Sequence, residues 1–171
     1  PTTGEVTFQP LPTFKGTATG VDVTLTAPVG QNKDGQDVTA TATTKYTPTV
    51  TAVEPIAKPT DSAGVQGETQ KGTPTFSPGD TIAPIKENSY KLLDKEGNEV
   101  SAGQTTPAYA EDGVTPVGTY SIDPATGEVT FTPTEKSYTG KVTPANVQAE
   151  DTNGTKVSTT YTPSIIPAQP E

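Results

Sequence analysis

The sequence predicts an all-β fold, made of antiparallel β-sandwich repeat domains that are arranged in tandem and joined by Pro-rich linkers. Short segments alternate apolar and polar residues with the period of a half-buried strand. Residues that favour turns separate these segments, and one block of sequence occurs twice. No segment combines the length and the periodicity of an ordinary helix.

The composition of the 171 residues leaves two classes of protein open. Only 29% of the residues are hydrophobic, and 16 Gly and 18 Pro would suit a disordered chain. The abundant Thr and Val suit the pleated surface of a sheet instead. The alternation favours folded β-structure, because a disordered chain has no physical reason to maintain it.

Alternation predicts three strands in residues 1–50. In Glu5–Phe8 the valine and the phenylalanine share one face, and Val21–Leu25 and Val38–Ala42 alternate with threonine or aspartate. In the second half the same pattern predicts seven short strands, which is the number found in a small sandwich. They are Thr73–Phe76, Ser89–Asp94, Glu99–Ala102, Val117–Ile122, Glu128–Pro133, Thr143–Glu150 and Thr155–Thr162.

The chain contains an internal repeat. Residues 1–10, PTTGEVTFQP, and residues 124–133, PATGEVTFTP, are identical at eight of ten positions. The first copy has a longer hairpin, around Thr26–Asp37. The two copies begin at residues 1 and 124. A repeat of this length is too long for a solenoid unit and suits sandwich domains arranged in tandem. Further matches follow in the same order, Phe14–Gly16 with Tyr138–Gly140 and Lys45–Pro48 with Thr160–Pro163.

Pro-rich stretches set the predicted domain boundaries. Each follows a Tyr-Thr-Pro sequence, and proline cannot donate to a ladder, so we expect the strands to end there. The opposite frame, with one domain over residues 1–123, would leave the last third without partners. The predicted division is the C-terminal part of a preceding repeat at 1–50, a linker at 51–61, a complete sandwich repeat at 62–164 and the start of the next linker at 165–171.

The charges and the missing residue types exclude most functions. The chain has no His and no Cys, and its 11 basic residues, all lysine, face 20 acids for a net charge of −9. It therefore lacks the usual general base and thiolate nucleophile. Nucleic acid and anionic membranes bind through basic patches, so we expect neither as a partner. No apolar run is long enough for membrane insertion.

Acidic segments invite comparison with calcium loops. Asn32–Asp37 and Asp151–Gly154 space oxygen-bearing side chains as calcium loops do, but neither has the distal glutamate of an EF-hand. Asp94–Glu99 and Glu111–Gly113 are also acidic. Because Asp-Gly and Asn-Gly sequences supply tight hairpin turns, the sequence favours turns over metal sites, and isolated weak calcium sites stay open as the alternative.

Lysine and asparagine side chains raise the question of an intramolecular isopeptide bond. Such a bond needs a buried acid beside the pair, and the sequence cannot pair the candidates Lys91, Lys141, Lys156, Asn88 and Asn146. We predict no catalytic, cofactor-binding or metal-binding residue, and no enzymatic activity.

The second half of the chain resembles the CshA-type fibril repeat of Gram-positive surface fibrils. The resemblance lies in Gly64–Asp80, Tyr90–Asp94 and Val117–Pro133, and it continues through Tyr138–Gly140, Asp151–Gly154 and Tyr161–Pro163. It extends to residues 1–48 for the last third of the unit. The combination of these motifs is specific, whereas any one of them alone is not.

The resemblance implies a non-catalytic stalk. Tandem repeats would project a terminal adhesive region from the cell wall, so the protein would be extracellular and anchored at the cell surface. Its partners would be neighbouring repeats of the same chain, and other regions of the full protein would contact host protein or glycan. The alternative is a binding module that itself engages host glycan or protein, which would need an exposed apolar patch.

Overall fold

The structure, a computed structural model, describes residues 2–169. The chain divides into two compact units, Pro1–Ala52 and Val53–Glu171. Every regular element within the described residues is a β-strand, and nearly all strand pairs are antiparallel. The predicted all-β class is therefore confirmed.

The first unit is a long hairpin with a short closing pair. Strands β2 (Val21–Gln31) and β3 (Asp37–Tyr46) pair antiparallel, and threonine hydroxyls bond across them. Strands β1 (Gly16–Thr17) and β4 (Thr49–Val50) pair beside the base of the hairpin. The predicted hairpin extension in this copy is confirmed, because β2 has 11 residues and its counterpart in the second unit has 6.

The predicted strand at Glu5–Phe8 is wrong, because these residues have no strand pairing. The same sequence in the second unit forms the strand Val129–Pro133, which has a neighbour on each side. The first unit has no strands in those two neighbouring positions within the described residues. An extended segment without partners leaves its backbone groups to water, so the alternation alone does not produce a strand.

The hairpin of the first unit exposes residues whose counterparts in the second unit are buried. Val21 is 52% exposed and Leu25 is 68% exposed, whereas the matching Ala145 and Ala149 are 2% and 0% exposed. The apolar face of this hairpin is therefore built like a core face, but no described residue of its own unit covers it.

The second unit contains eleven strands within residues 53–169. They are β5 (Ile56–Lys58), β6 (Thr60–Val65), β7 (Gln70–Gly72), β8 (Thr75–Ser77), β9 (Lys91–Leu93), β10 (Thr106–Tyr109), β11 (Pro116–Ile122), β12 (Val129–Pro133), β13 (Gly140–Lys141), β14 (Ala145–Glu150) and β15 (Lys156–Ile166).

Two sheets of the second unit enclose its core, an arrangement consistent with a β-sandwich. One sheet has the order β10-β11-β12-β7, and the other has the order β13-β15-β14-β9 with β6 also paired to β15. Strands β5 and β8 form a separate antiparallel pair. Side chains from both sheets meet in one buried cluster, in which the Tyr120 ring lies 5.6 Å from Phe131 and 6.2 Å from Tyr161.

The sequence repeat is also a repeat of strand register. In the first unit Val21 pairs with Tyr46, and in the second unit the matching Ala145 pairs with Tyr161. The short closing pair is likewise Gly16 with Val50 in one unit and Gly140 with Ile165 in the other. The two copies therefore build the same hairpin from different side chains.

Two strand predictions need correction, and within residues 53–169 five strands were not predicted, β5, β6, β7, β10 and β13. The predicted strand Thr73–Phe76 begins in the gap after β7, and only Thr75 and Phe76 lie in a strand, β8, because Pro74 interrupts the ladder between β7 and β8. Glu99–Ala102 is not a strand, and only Glu99 forms a single bridge, to Leu93. Strands β6 and β10 were not predicted, because Thr60–Val65 follows a proline and contains a glycine and Thr106–Tyr109 contains a proline.

The expected strand end at Tyr-Thr-Pro is wrong in the second unit, since β15 continues through Pro163 to Ile166, whereas in the first unit β3 ends at Tyr46 as expected. The carbonyl of Pro163 accepts a hydrogen bond from the Val142 N–H at 3.4 Å. The N–H and C=O of one strand residue point to the same side. The N–H that Pro163 lacks would therefore face the gap between β13 and β14. Pro48 accepts from Ala18 in the same way in the first unit, at 3.0 Å.

We predict that Gly72→Ala destabilises the second unit by about 1–3 kcal/mol, the usual cost of overpacking. A Cβ at Gly72 would overlap the Tyr161 ring and crowd the Thr60 methyl group. Urea unfolding followed by circular dichroism should show a lower midpoint with an unchanged slope. The neighbouring exposed variant Thr73→Ala should leave the midpoint unchanged, and equal midpoints for both variants would contradict this packing.

Candidate functional site

Three hairpins end in the same turn, closed by the side chain of its first residue. Asn32, Asp94 and Asp151 each accept from the backbone N–H groups two and four residues later, at 2.8–3.0 Å. Each turn has a glycine at its fourth position with positive φ. Local hydrogen bonding to the backbone therefore accounts for the oxygen spacing in these segments.

Both carboxylate oxygens of Asp94 accept hydrogen bonds within its turn. Its second oxygen accepts from the Asn98 side-chain amide at 3.1 Å. These hydrogen bonds to Asn98 lower the pKa of Asp94 below its usual value, and the Glu96 and Gly97 N–H groups add to the effect. Asp112 in the Glu111–Gly113 segment closes a turn too, and its bonds from Thr115 and Val114 lower its pKa.

The Asp151 turn differs because it is buried and only partly satisfied. Asp151 is 1% exposed, and residues Pro84 and Ile85 bond to the backbone of this turn. The second carboxylate oxygen of Asp151, the amide oxygen of Asn153 and the hydroxyl of Thr155 have no hydrogen-bond partner in the structure. Thr155 stands where Asn98 supplies the missing donor in the Asp94 turn.

Two of the isopeptide candidates are held in a surface ion cluster. Glu99 contacts Lys156 at 2.6 Å, Gln148 at 2.9 Å, and Lys91. The hydrogen bond from Lys156, followed by those from Lys91 and Gln148, lowers the pKa of Glu99 to about 2. All of these side chains are at the surface, whereas an isopeptide bond needs a desolvated acid beside the lysine.

The other three isopeptide candidates are at the surface. Lys141, Asn88 and Asn146 are exposed, and Asn88 adopts a positive φ of 56° in a loop. Within residues 2–169, no hydrogen bond joins any two of the five candidates. In the described residues, no hydrogen bond therefore pairs a candidate lysine with a candidate asparagine.

A polar cluster ties the first long strand of the second unit to the last one. The Ser62 hydroxyl donates to the Gln70 amide oxygen at 2.6 Å. Because Ser62 has a single proton, the Tyr161 hydroxyl must donate in its 2.7 Å bond to Ser62. The Gln70 amide then donates to the Ser164 carbonyl at 3.0 Å. Burial raises the pKa of Tyr161.

Glycine makes room for this cluster. A Cβ at Gly64 would lie 2.8 Å from the Gln70 side-chain carbon Cδ. Gln70 can therefore reach Ser62 only because Gly64 has no side chain. Gln70 lies within Gly64–Asp80, a segment of the family resemblance, but the sequence pattern did not single out Ser62 or Gln70. Only the strand pairing reveals the role of these two residues.

An open groove of about 450 Å³ lies where β9, β10 and β14 approach one another. Tyr109 lines it, and the Lys95 ammonium group lies 5.8 Å from the centre of that ring. Tyr120 also borders the groove and donates to the Thr143 carbonyl at 2.5 Å, and burial raises its pKa. The nearby Asp94 carboxylate is occupied by its own turn, and Asn146 lines the groove together with Pro107 and Pro144.

The fold and these side chains define a class: an all-β repeat module whose polar residues chiefly close turns and join strands. Residues 52–165 match the family described as the surface adhesin CshA repetitive domain. The chain belongs to this family. No match to the chain was found among curated proteins. In the described part of the chain, no helix has the length and apolar character needed to cross a membrane.

The Glu99 cluster should make stability depend on pH in the acid range. A carboxylate with a lowered pKa stabilises the fold above its unfolded value, near 4.5, and that contribution is lost as the pH falls through about 2. We expect the melting temperature of Glu99→Gln to be lower than that of the parent protein above pH 5. The difference should vanish near pH 2.

Glu96→Gln is the matched control, because Glu96 makes only an exposed ion pair with Lys95 at 3.8 Å. Its melting temperature should follow the parent curve across the whole pH range. A gap between Glu99→Gln and the parent that stays constant down to pH 2 would contradict the cluster's role.

Substitutions at Asp151 test the buried turn. Asp151→Asn keeps an oxygen that accepts from two N–H groups and replaces the unpaired second oxygen with an amide donor. We expect it to match or exceed the parent stability in urea unfolding. Asp151→Ala should cost about 1–3 kcal/mol, because buried N–H groups lose their acceptor. Loss of stability in Asp151→Asn equal to that in Asp151→Ala would show that the negative charge itself is required.

Proposed function

We propose that the chain is a non-catalytic stalk segment of a cell-surface fibril. Its family is one of surface adhesin repeats, and the observation that carries the proposal is the repeated hairpin register in the two units. A spacer needs repeated, self-contained folds and no reactive groups. The absence of His and Cys from the sequence fits that requirement.

The proposed division of the chain follows from the unequal burial of the two copies. Residues 62–164 form the body of one complete repeat, whereas residues 1–50 are the C-terminal part of a preceding one. The Pro-rich stretches at 51–61 and 165–171 join successive repeats, although the first of them also contributes β5 and the start of β6, and the second contributes the last two residues of β15. The exposed core face of the first unit supports this division, because it lacks the strands that cover its counterpart.

The proposed setting is the outside of a Gram-positive cell. The protein would be secreted and anchored to the cell wall, and its repeats would lift an adhesive region away from the surface. The net charge of −9 would keep neighbouring repeats soluble and mutually repelling. Host protein or glycan would bind other regions of the full protein, and nucleic acid and membrane would not be partners.

A second candidate function is direct binding of host glycan by this segment. The groove beside Tyr109 favours it, since tyrosine faces and amide groups are surfaces that a sugar can contact. The two functions differ in a simple prediction: a binding module loses its ligand when Tyr109 is replaced, whereas a spacer is unaffected.

Concatemers of the chain test the stalk function. Small-angle scattering of one, two and four copies should give a radius of gyration that grows almost linearly with copy number. A compact assembly would follow about the 0.38 power of chain length, and that result would contradict the proposal. A glycan array probed with the parent and with Tyr109→Ala examines the second candidate, which Tyr109-dependent binding would support.

Separate fragments test the division into repeats. Residues 53–171 should melt cooperatively alone, because they contain both sheets and their core. Residues 1–52 should show no cooperative transition, because one hairpin cannot build a two-layer core. Calorimetry of both fragments and of the whole chain provides the comparison, and a cooperative melt of residues 1–52 would overturn the proposed boundaries.

A further inference from the structure

The second unit joins its terminal strands in parallel. Strand β6 pairs with the last strand, β15, through six consecutive positions, from Thr60 beside Tyr161 to Val65 beside Ile166. The other strand pairs in the described residues are antiparallel. This one pairing therefore gives the unit a distinct response to tension along the chain.

The direction of the load follows from the order of the strands. Tension on the preceding chain pulls β6 from its first residue, Thr60, whereas tension on the following chain pulls β15 from its last residue, Ile166. In a parallel pair these ends lie at opposite ends of the ladder. The two strands are thus pulled past each other, and all six positions share the load at once.

An antiparallel hairpin pulled from its two free ends behaves differently. Its hydrogen bonds are then loaded one after another, so each one breaks under nearly the full force. The rate of forced unfolding depends on the barrier that must be crossed. Simultaneous loading raises that barrier, because several hydrogen bonds must break together before the strands can separate.

Side-chain contacts strengthen the same pair. Ser62 on β6 bonds to Tyr161 on β15, and Gln70 joins Ser62 to the Ser164 carbonyl. These contacts connect the two strands and also bring in β7 from the opposite sheet. Rupture of the pair therefore requires the loss of buried side-chain hydrogen bonds as well as ladder bonds, and such groups are costly to leave unpaired.

The pairing also extends beyond the ladder. The Gln66 N–H donates to the Ile166 carbonyl at 2.9 Å, and the Gln66 side chain accepts from the Ala168 N–H at 2.9 Å. On the other side, β5 is held by only three pairs to β8. We expect β5 to detach early, after which the load reaches β6.

We propose that β6 and β15 form a shear clamp that lets this repeat bear tension without unfolding. The clamp consists of Thr60–Val65, Tyr161–Ile166 and the Ser62–Gln70 tie. This inference extends the proposed stalk function by assigning it a load-bearing element. The clamp concerns the second unit alone. A negative result for the clamp would therefore leave the concatemer test of the stalk function unaffected.

Single-molecule force spectroscopy of the whole chain tests the clamp. The sequence has no cysteine, so introduced pairs define the pulling points. Lys58→Cys with Gln169→Cys loads β6 and β15 in shear. Glu68→Cys with Gln169→Cys pulls the adjacent ends of the same strands apart and loads the same bonds in turn. All three positions are exposed, and matching urea midpoints will show that both variants are folded.

At equal loading rates we expect the shear variant to unfold at a severalfold higher force than the second variant. Equal forces in the two directions would overturn the clamp. If the Glu68 handle disturbs folding, Thr69→Cys provides the same direction of pull. Ser62→Ala should lower the shear force, with the exposed Ala63→Ser as its control, and an unchanged force in Ser62→Ala would remove the side-chain tie from the clamp.

Discussion

The pairing of the first long strand with the last one is the constraint on which the second unit depends. Strand β15 already holds β14 and β13 on one side, and β6 occupies its other side. This closure positions Tyr161 beneath Gly72 and against Tyr120, which places the hairpin on the second sheet. It also places the first long strand and the last strand of the repeat side by side. The first unit has the same hairpin, but residues 2–52 contain no such closing strand, and its apolar face is exposed.

The sequence was informative where the structure depends on local pattern. Alternation located the paired strands at Val129–Pro133 and Ala145–Glu150, and Gly-containing segments located the turns. The match between the two copies correctly implied a common hairpin with one longer arm. These features succeed because a strand's side-chain period and a turn's backbone requirements are properties of neighbouring residues.

The remainder depends on partners that are distant in sequence. Ser62 and Tyr161 are 99 positions apart, and alternation shows which face a residue occupies but not which strand lies beside it. Glu5–Phe8 demonstrates the same limit, since an identical pattern forms a strand only where neighbours exist. The partly satisfied Asp151 turn was likewise hidden, because its burial comes from a segment near Pro84 and not from its own sequence.

Hydrogen exchange of the intact chain tests the central claim, that closure of β6 on β15 makes the second unit a self-contained fold. The amides of Thr60–Val65 that bond to β15 should exchange as slowly as those of the core strand β12, because they open only when the whole unit unfolds. The hairpin of the first unit should exchange faster. If the β6 amides exchange as fast as that hairpin while β12 stays protected, the strand is a detachable edge and the account is wrong.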